Sequence, residues 1–264
     1  MLQTDRANGL IPFIFIMTLG TTSTCAFDPL GELGPICQKE GIWVHIDSAY
    51  AGSFMLCPEY RYIGNGLKYV DSFNMNAHKT LQINFDCSPM WFKDGLHALR
   101  YFELNPLYLK YDHQSSAYDY RLKSTKHALL QHLQIALGRR FRSLKIWFVL
   151  RKVGVTGLQK HLRNSVHLAE YFEELLREDG LFELFVPRLL GLNSTNEMNE
   201  LLNHRLDEDR RIHLVASAVH GTYFLRLVIC SPLTTRQDVA YAYSVIKEVT
   251  EEILKDSRLL ETPN

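Results

Sequence analysis

The sequence predicts an α/β domain with a largely parallel sheet, followed by a smaller α+β domain. Two observations carry that prediction. Residues 10–19, "IWVHIDSAYAG", "YVDSFNMNAHK" and "SPMWFKD" each read as a strand, and a helical stretch separates the first two. The tail changes character and breaks into strand, helix, a strand or hairpin, and helix. The chain has 264 residues, enough for one large domain or two modest ones with a substantial core.

The elements follow in order. "LIPFIFIMTL" is rich in Ile and Phe and runs into a Gly-Thr-Thr turn, as a fully buried strand does. It resembles the apolar part of a signal peptide, but "MLQTDRAN" before it has no basic excess, and the run is too short to span a bilayer. "DPLGELGPICQKEG" reads as a helix with Asp28 as N-cap and Gly41 as its stop. The second strand ends at Asp47. The third reads as a strand over residues 71–80 that ends in His78 and Lys79. Residues 100–125 have no clean period and are rich in tyrosine, a long excursion of the sort that is often functional. From Lys126 the pattern is helical, broken at Gly154 and Gly157. The tail gives a strand at "LFELFVPR", a helix at "STNEMNELLNHRLDEDRR", a strand or hairpin at "IHLVASAVHGTYFLRLVICS" and a capped helix from "TTRQDV".

Composition excludes several classes. Net charge is zero, so nothing global steers the chain toward nucleic acid or acidic membranes. The basic cluster "GRRFRSLK" is expected to interlock with carboxylates of the fold or of a second copy. The five cysteines show no C-x-x-C spacing, which argues against a disulfide scaffold or a structural zinc site. Thiols of this kind fit a reducing, cytoplasmic compartment.

The candidate chemistry gathers at the carboxyl ends of strands, where α/β sheets bind ligands. Thr21, Thr22, Asp47, His78 and Lys79 all lie at such ends. A lysine partly withdrawn from water can form a Schiff base, and a pyridoxal phosphate site adds a carboxylate that keeps the pyridine nitrogen protonated. Asp47 and Lys79 can meet across two strands, although on spacing alone a structural ion pair is the simpler reading. For His78 a packed core histidine is the simpler reading, with no second ligand spaced for a metal. Tyr108 could donate a proton to a carbanion, or be an ordinary loop tyrosine.

Taken together, these stretches resemble the pyridoxal-phosphate-dependent group II amino-acid decarboxylases, in the branch of the aromatic-L-amino-acid (dopa) and histidine decarboxylases. The resemblance is carried by "NGLIPFIFIMTLGTTSTCAFDPLGELGPICQKEGIWVHIDSAYAGSFMLCPEYR", "DSFNMNAHKTLQINFDCSPMW", "NPLYLKY", "GRRFRSLKIWFVLRKVGVTGLQKHLR" and "FLRLVICSPLTTRQDV". It implies an aminotransferase-like large domain of PLP fold type I, incomplete here and covering residues 1–145, and a small C-terminal domain over residues 146–264. It implies that Lys79 forms the internal aldimine, Asp47 pairs with the pyridine nitrogen and Ala49 packs on the ring. His78 matches the histidine before the lysine, Asn76 a phosphate contact, and Thr22 a residue beside the cofactor. Tyr108 matches the mobile-loop tyrosine that reprotonates the substrate carbon, giving an amine, whereas oxygen reaching that carbon gives an aldehyde. Gly138 matches an aromatic substrate, since relatives that use histidine tend to have serine there.

The resemblance further implies a homodimer with its active site at the interface, a small amino-acid substrate, and no nucleic acid or membrane partner. Family members are longer. The chain is therefore expected to start inside the cofactor domain, to carry extra residues within "DYRLKSTKHALLQHLQIALGRRF", and to lack a strand after "LGL". The activity the resemblance implies is that of a carboxy-lyase for an aromatic L-amino acid. The alternatives are an aromatic acetaldehyde synthase on the same scaffold, or an inactive shortened form acting through dimer contacts.

Overall fold

The alternation of apolar strands with amphipathic helix produces an open sheet in the order β1-β2-β3-β4. The computed structural model describes residues 2–102, 141–186, 189–192 and 195–261. After a short helix α1 (Leu2–Ala7), β1 (Ile14–Thr18) pairs in parallel with β2 (Trp43–Asp47), and β2 in parallel with β3 (Ser72–Asn74). Strand β4 (Met90–Phe92) closes the sheet antiparallel to β3. Helix α2 (Leu30–Lys39) makes the crossover between β1 and β2. It buries Leu30 and Cys37 against Met17, Val44 and Ile46. Gly41 at φ 68° lets the chain leave α2, and Ile42 N–H returns to Cys37 O at 2.9 Å.

Two expectations are corrected here. Residues 10–19 do not form a fully buried strand. Ile14, Phe15 and Ile16 stay 41%, 39% and 60% exposed, because β1 is an edge strand whose one neighbour among the described residues is β2. Asp28 is not the side-chain cap of α2. Its carboxylate turns back to accept the Thr18 N–H at 2.6 Å, and Pro29 takes the cap position.

Between β3 and β4 lies the four-residue helix α3 (Ala77–Thr80), and beyond β4 comes α4 (Gly95–Phe102). Helix α5 (Ser143–Asp179) joins the two halves of the molecule, interrupted at Gly154, where φ 68° and ψ 173° break the helical path. Its Leu158 and Leu162 share a buried cluster with Cys57, Ala77 and Leu81, whereas Leu168, Phe172 and Leu176 belong to the C-terminal core. The 145/146 boundary therefore lies in the first turn of α5, and the change from one core to the other falls between Leu162 and Leu168. Lys145, from the basic cluster, is held mainly by backbone rather than by a carboxylate: its ammonium donates to Asn84 O at 3.1 Å and to the Asp86 carbonyl, while the Asp86 carboxylate stands 4.0 Å away. Leu162→Ala is expected to cost about 3 kcal/mol, since the side chain is fully buried and the cavity sits between two elements that cannot both collapse into it. The midpoint of urea unfolding measures it.

The C-terminal unit is an antiparallel sheet in the order β5-β6-β8-β7, covered by helices. It comprises β5 (Phe182–Val186), β6 (Leu189–Leu192), α6 (Asn196–Asp209), β7 (Val215–Val219), β8 (Thr222–Arg226) and α7 (Arg236–Glu261). The region read as strand or hairpin is a hairpin. His220 and Gly221 both take positive φ, as a two-residue turn of this hand requires. Thr235 and Asp238 cap α7 reciprocally, at 2.7–3.3 Å. At the far end of α5, the Tyr243 hydroxyl and the Lys247 ammonium hold the Asp179 carboxyl below its usual pKa. A depressed folded-state pKa stabilises above the unfolded value, about 3.9, and the gain is lost as pH falls through the folded one. Asp179→Asn should therefore lower Tm at pH 7, and the difference should shrink as pH falls below the unfolded value, as read by thermal unfolding across that range.

Candidate active site

The three parallel strands end at one level. Thr18 is in register with Asp47, and Asp47 with Asn74. The turns that follow are tied to these ends: Leu19 N–H donates to Asp47 O at 2.9 Å, and Ser48 N–H to Asn74 O at 3.0 Å. Gly20, at φ 89°, brings the turn after β1 against the turn after β2. A Cβ there would lie 2.6 Å from the Ala51 Cβ, so no larger residue fits without moving backbone.

A run of hydrogen bonds then links the candidate residues. The Asp47 Oδ1 accepts the Ala49 N–H at 3.0 Å. Ala49 O accepts the Asn76 N–H at 3.1 Å, and Asn76 O accepts the Lys79 N–H at 3.1 Å. Asp47, Ala49, Asn76 and Lys79 thus occupy one continuous backbone path across the carboxyl ends of β2 and β3.

The strand expected over residues 71–80 stops at Asn74, where its pairing with Met90 ends. Asn76 bonds back to Ala49, and residues 77–80 coil into α3. His78 and Lys79 therefore sit on a helical turn rather than at a strand end. That turn buries Ala77 and Thr80 and leaves Lys79 exposed. No hydrogen bond or ion pair among the described residues ties the Lys79 ammonium, so the structural ion pair with Asp47 is not formed. His78 Nδ1 lies 2.9 Å from both the N and the O of Cys87, and its ring meets Phe85 edge to face at 4.7 Å. With the Cys87 N–H donating to Nδ1, the ring proton belongs on Nε2. Asn76 spends its Oδ1 on the Ser88 hydroxyl. Thr22 is exposed on the turn after β1, and its neighbour Thr21 braces that turn through Thr24 and the Ala26 N–H. Tyr108 and Gly138 lie outside the described residues.

A sequence model described as "Pyridoxal-dependent decarboxylase conserved domain" matches residues 1–196. The chain belongs to the pyridoxal-dependent decarboxylase family. An aromatic-L-amino-acid decarboxylase of Mus musculus is 46% identical over 261 residues, covering 96% of this chain and 52% of its own length. The crystal structure of Catharanthus roseus tryptophan decarboxylase in complex with L-tryptophan superposes with TM-score 0.83 at 36% identity, over 96% of this chain and 52% of that one. Rhodiola rosea 4-hydroxyphenylacetaldehyde synthase superposes with TM-score 0.82 at 32% identity, over 95% of this chain and 52% of that one. The chain spans about half the length of the curated relatives it matches.

Pyridoxal phosphate is the cofactor this family membership implies, and the donor set fits it. A carboxylate at a strand end suits a protonated pyridine nitrogen, and an amine without a partner among the described residues suits an aldehyde. Both stand on turns locked by backbone hydrogen bonds, so neither relies on a flexible loop for its position.

Several residues of this decarboxylase-family site were not singled out from sequence. Trp43, His45 and Asp47 share the half-buried face of β2, opposite buried Val44 and Ile46. Trp43 Nε1–H donates to Ser72 Oγ at 2.8 Å, which frees that hydroxyl to donate to His45 Nδ1 at 2.8 Å. His45 Nε2–H then reaches Asn74 Oδ1 at 3.1 Å, beside Asp47. The period-two spacing of W-x-H-x-D carried that signal. Burial raises the Tyr50 phenol to about 12, with Cys25 and Cys230 adding to the rise and Arg226 opposing it. The turn after β2 therefore faces the C-terminal unit, and Ser217 Oγ donates to Ser23 Oγ at 2.8 Å close by.

Proposed function

We propose that this chain carries the chemistry of a carboxy-lyase for aromatic L-amino acids, converting them to amines. The observation that carries the reading is the hydrogen-bonded path from the Asp47 carboxylate to the backbone N–H of Lys79, whose side-chain amine has no partner among the described residues. When bound, pyridoxal phosphate supplies an electron sink that accepts the electron pair left as carbon dioxide departs. Lys79 Nζ would hold the cofactor's aldehyde carbon, and Asp47 would hold a proton on its ring nitrogen. Ala49 is small enough to lie flat against a ring, and the Asn76 amide and Thr22 hydroxyl offer donors for its phosphate. His78 keeps the lysine turn seated through Cys87. Tyr108 would deliver the proton to the substrate carbon that lost the carboxylate. The aromatic substrate is supported by the names of the relatives, by the tryptophan-bound neighbour and by Gly138.

Assembly as a homodimer belongs to the same proposal. Trp147 and Phe148 on α5 stay more than half exposed, and Leu10, Ile11 and Phe13 before β1 are more exposed still, a surface suited to a second copy. No helix among the described residues is long and apolar enough to cross a membrane. The thiol content suits the cytoplasm.

The likeness to 4-hydroxyphenylacetaldehyde synthase supports a second reading, oxidative decarboxylation to an aldehyde. The deciding experiment has two stages. The purified chain is given pyridoxal phosphate, reduced with borohydride and mapped by peptide mass. An adduct concentrated at Lys79 supports the cofactor assignment; labelling scattered over surface lysines sinks it and favours an inactive form acting through dimer contacts. A full-length relative bearing this segment is then given aromatic amino acids. Amine without peroxide supports the carboxy-lyase, and aldehyde with stoichiometric hydrogen peroxide supports the synthase.

A further inference from the structure

Helix α5 passes the turn that carries Lys79, and one buried polar group on it has no part in the chemistry above. His161 is 7% exposed, and its Nε2 has no hydrogen-bond partner among the described residues. An orphaned buried polar atom is costly, so an apolar side chain would be the stabler choice if packing alone were at stake. His161 sits beside Leu162 and three residues after Leu158. Both leucines share a buried cluster with Ala77 and Leu81, which bracket Lys79. The polar group acting on the ring is the backbone of Thr80, the residue after Lys79. Thr80 is itself 3% exposed, with its hydroxyl unpartnered among the described residues.

This stretch of α5 is anchored from both sides of His161. Gln159 Nε2 donates to Leu56 O at 2.8 Å, and Arg163 pairs in a fork with Glu59, at 3.0 Å from Nη2. The ring therefore has little freedom to move away from the lysine turn.

We propose that His161 is a positioning residue for Lys79: its imidazole, held against the Thr80 backbone by the anchored stretch of α5, fixes the turn and hence the direction in which the lysine leaves it. The inference rests on the reading of Lys79 as the cofactor-bearing lysine. Burial holds the ring below its ordinary pKa, with the Thr80 backbone opposing, so the imidazole stands neutral beside the turn at pH 7. The same helix continues into Leu168, Phe172 and Leu176, so a shift of the C-terminal core reaches Lys79 through one rigid element.

The test compares the chain with His161→Leu and His161→Gln. Lysines are trace-labelled with acetic anhydride, and Lys79 is read against Lys39 and Lys247 in the same digest. This reagent needs no cofactor, so the result is independent of whether pyridoxal phosphate binds. His161→Leu is expected to melt no lower than the parent, yet to change the relative labelling rate of Lys79 by about threefold or more. His161→Gln, which keeps a polar N–H, is expected to bring the rate back toward the parent. The borohydride-trapped adduct at Lys79 should follow the same order. An unchanged Lys79 rate in His161→Leu overturns the proposal. So does an equal change in both variants that tracks a loss of melting temperature, which would mark His161 as packing alone. If the parent forms no adduct at Lys79, the cofactor reading fails, and the acetylation series still decides whether His161 sets the turn.

Discussion

Lys79→Ala is expected to remove the trapped pyridoxal phosphate adduct from the chain and to lower decarboxylation by a full-length form by about a thousandfold or more. The size follows from the role. The lysine amine is the one group on the path from Asp47 that can hold an aldehyde covalently, and nothing beside it on the turn can substitute: His78 has committed Nδ1 to Cys87, and Asn76 has committed Oδ1 to Ser88. Folding should be almost untouched. Lys79 is exposed, and no hydrogen bond or ion pair among the described residues holds its side chain. A large loss of activity with an unchanged unfolding midpoint is therefore the expected signature. A full-length Lys79→Ala variant that still releases carbon dioxide from aromatic amino acids at the parent rate would falsify the assignment.

Asp47→Asn is expected to have the second largest effect, a fall in kcat of about a hundredfold or more. The substitution is close to isosteric, and an amide oxygen can still accept the Ala49 N–H that Oδ1 accepts at 3.0 Å. The turn should keep its shape, and stability should change by less than about 0.5 kcal/mol. What disappears is the negative charge. Without it nothing at the end of β2 favours a proton on the cofactor's ring nitrogen, and an uncharged ring is a poor electron sink. The measurement is kcat together with bound pyridoxal phosphate, counted after the protein is unfolded. An Asp47→Asn variant that holds cofactor and turns over like the parent would remove Asp47 from the mechanism.

The two variants probe residues that differ in how they could be seen. Asp47 was legible because β2 alternates so cleanly: Val44 and Ile46 must point to the core, so Trp43, His45 and Asp47 must share the other face. Its place at a strand end followed from the apolar strand "IWVHID" that stops there. The lysine turn was less legible. Apolar and polar residues alternate through "DSFNMNAHK" as they would in a strand, and local pattern cannot report that β4 stops pairing at Met90 or that Ala49 O captures the Asn76 N–H. Both are contacts between segments distant in sequence. The same applies to Asp28, a good helix cap by composition that serves the Thr18 N–H instead.

The apolar run at residues 10–19 teaches the converse. Its composition is that of a strand with neighbours on every side, and the strand forms, but β1 stands at the edge of this sheet with its apolar side chains largely open. Composition reports what a segment is suited to bury; the neighbours decide what it does bury.

By itself, then, the sequence determined the α/β class, the parallel pairing implied by strand, helix and strand, the α+β tail with its capped helix, and the residue types gathered at the strand ends. These follow from periodicity, turn chemistry and capping, which act over a few residues. The tertiary structure alone decided that Lys79 rides a helical turn, that a hydrogen-bonded path joins its backbone to Asp47, that Trp43, Ser72, His45 and Asn74 form one network, and that His161 meets the Thr80 backbone from 81 residues away in the chain. Each of these rests on contacts between segments far apart in sequence, and such contacts are fixed by packing rather than by local preference.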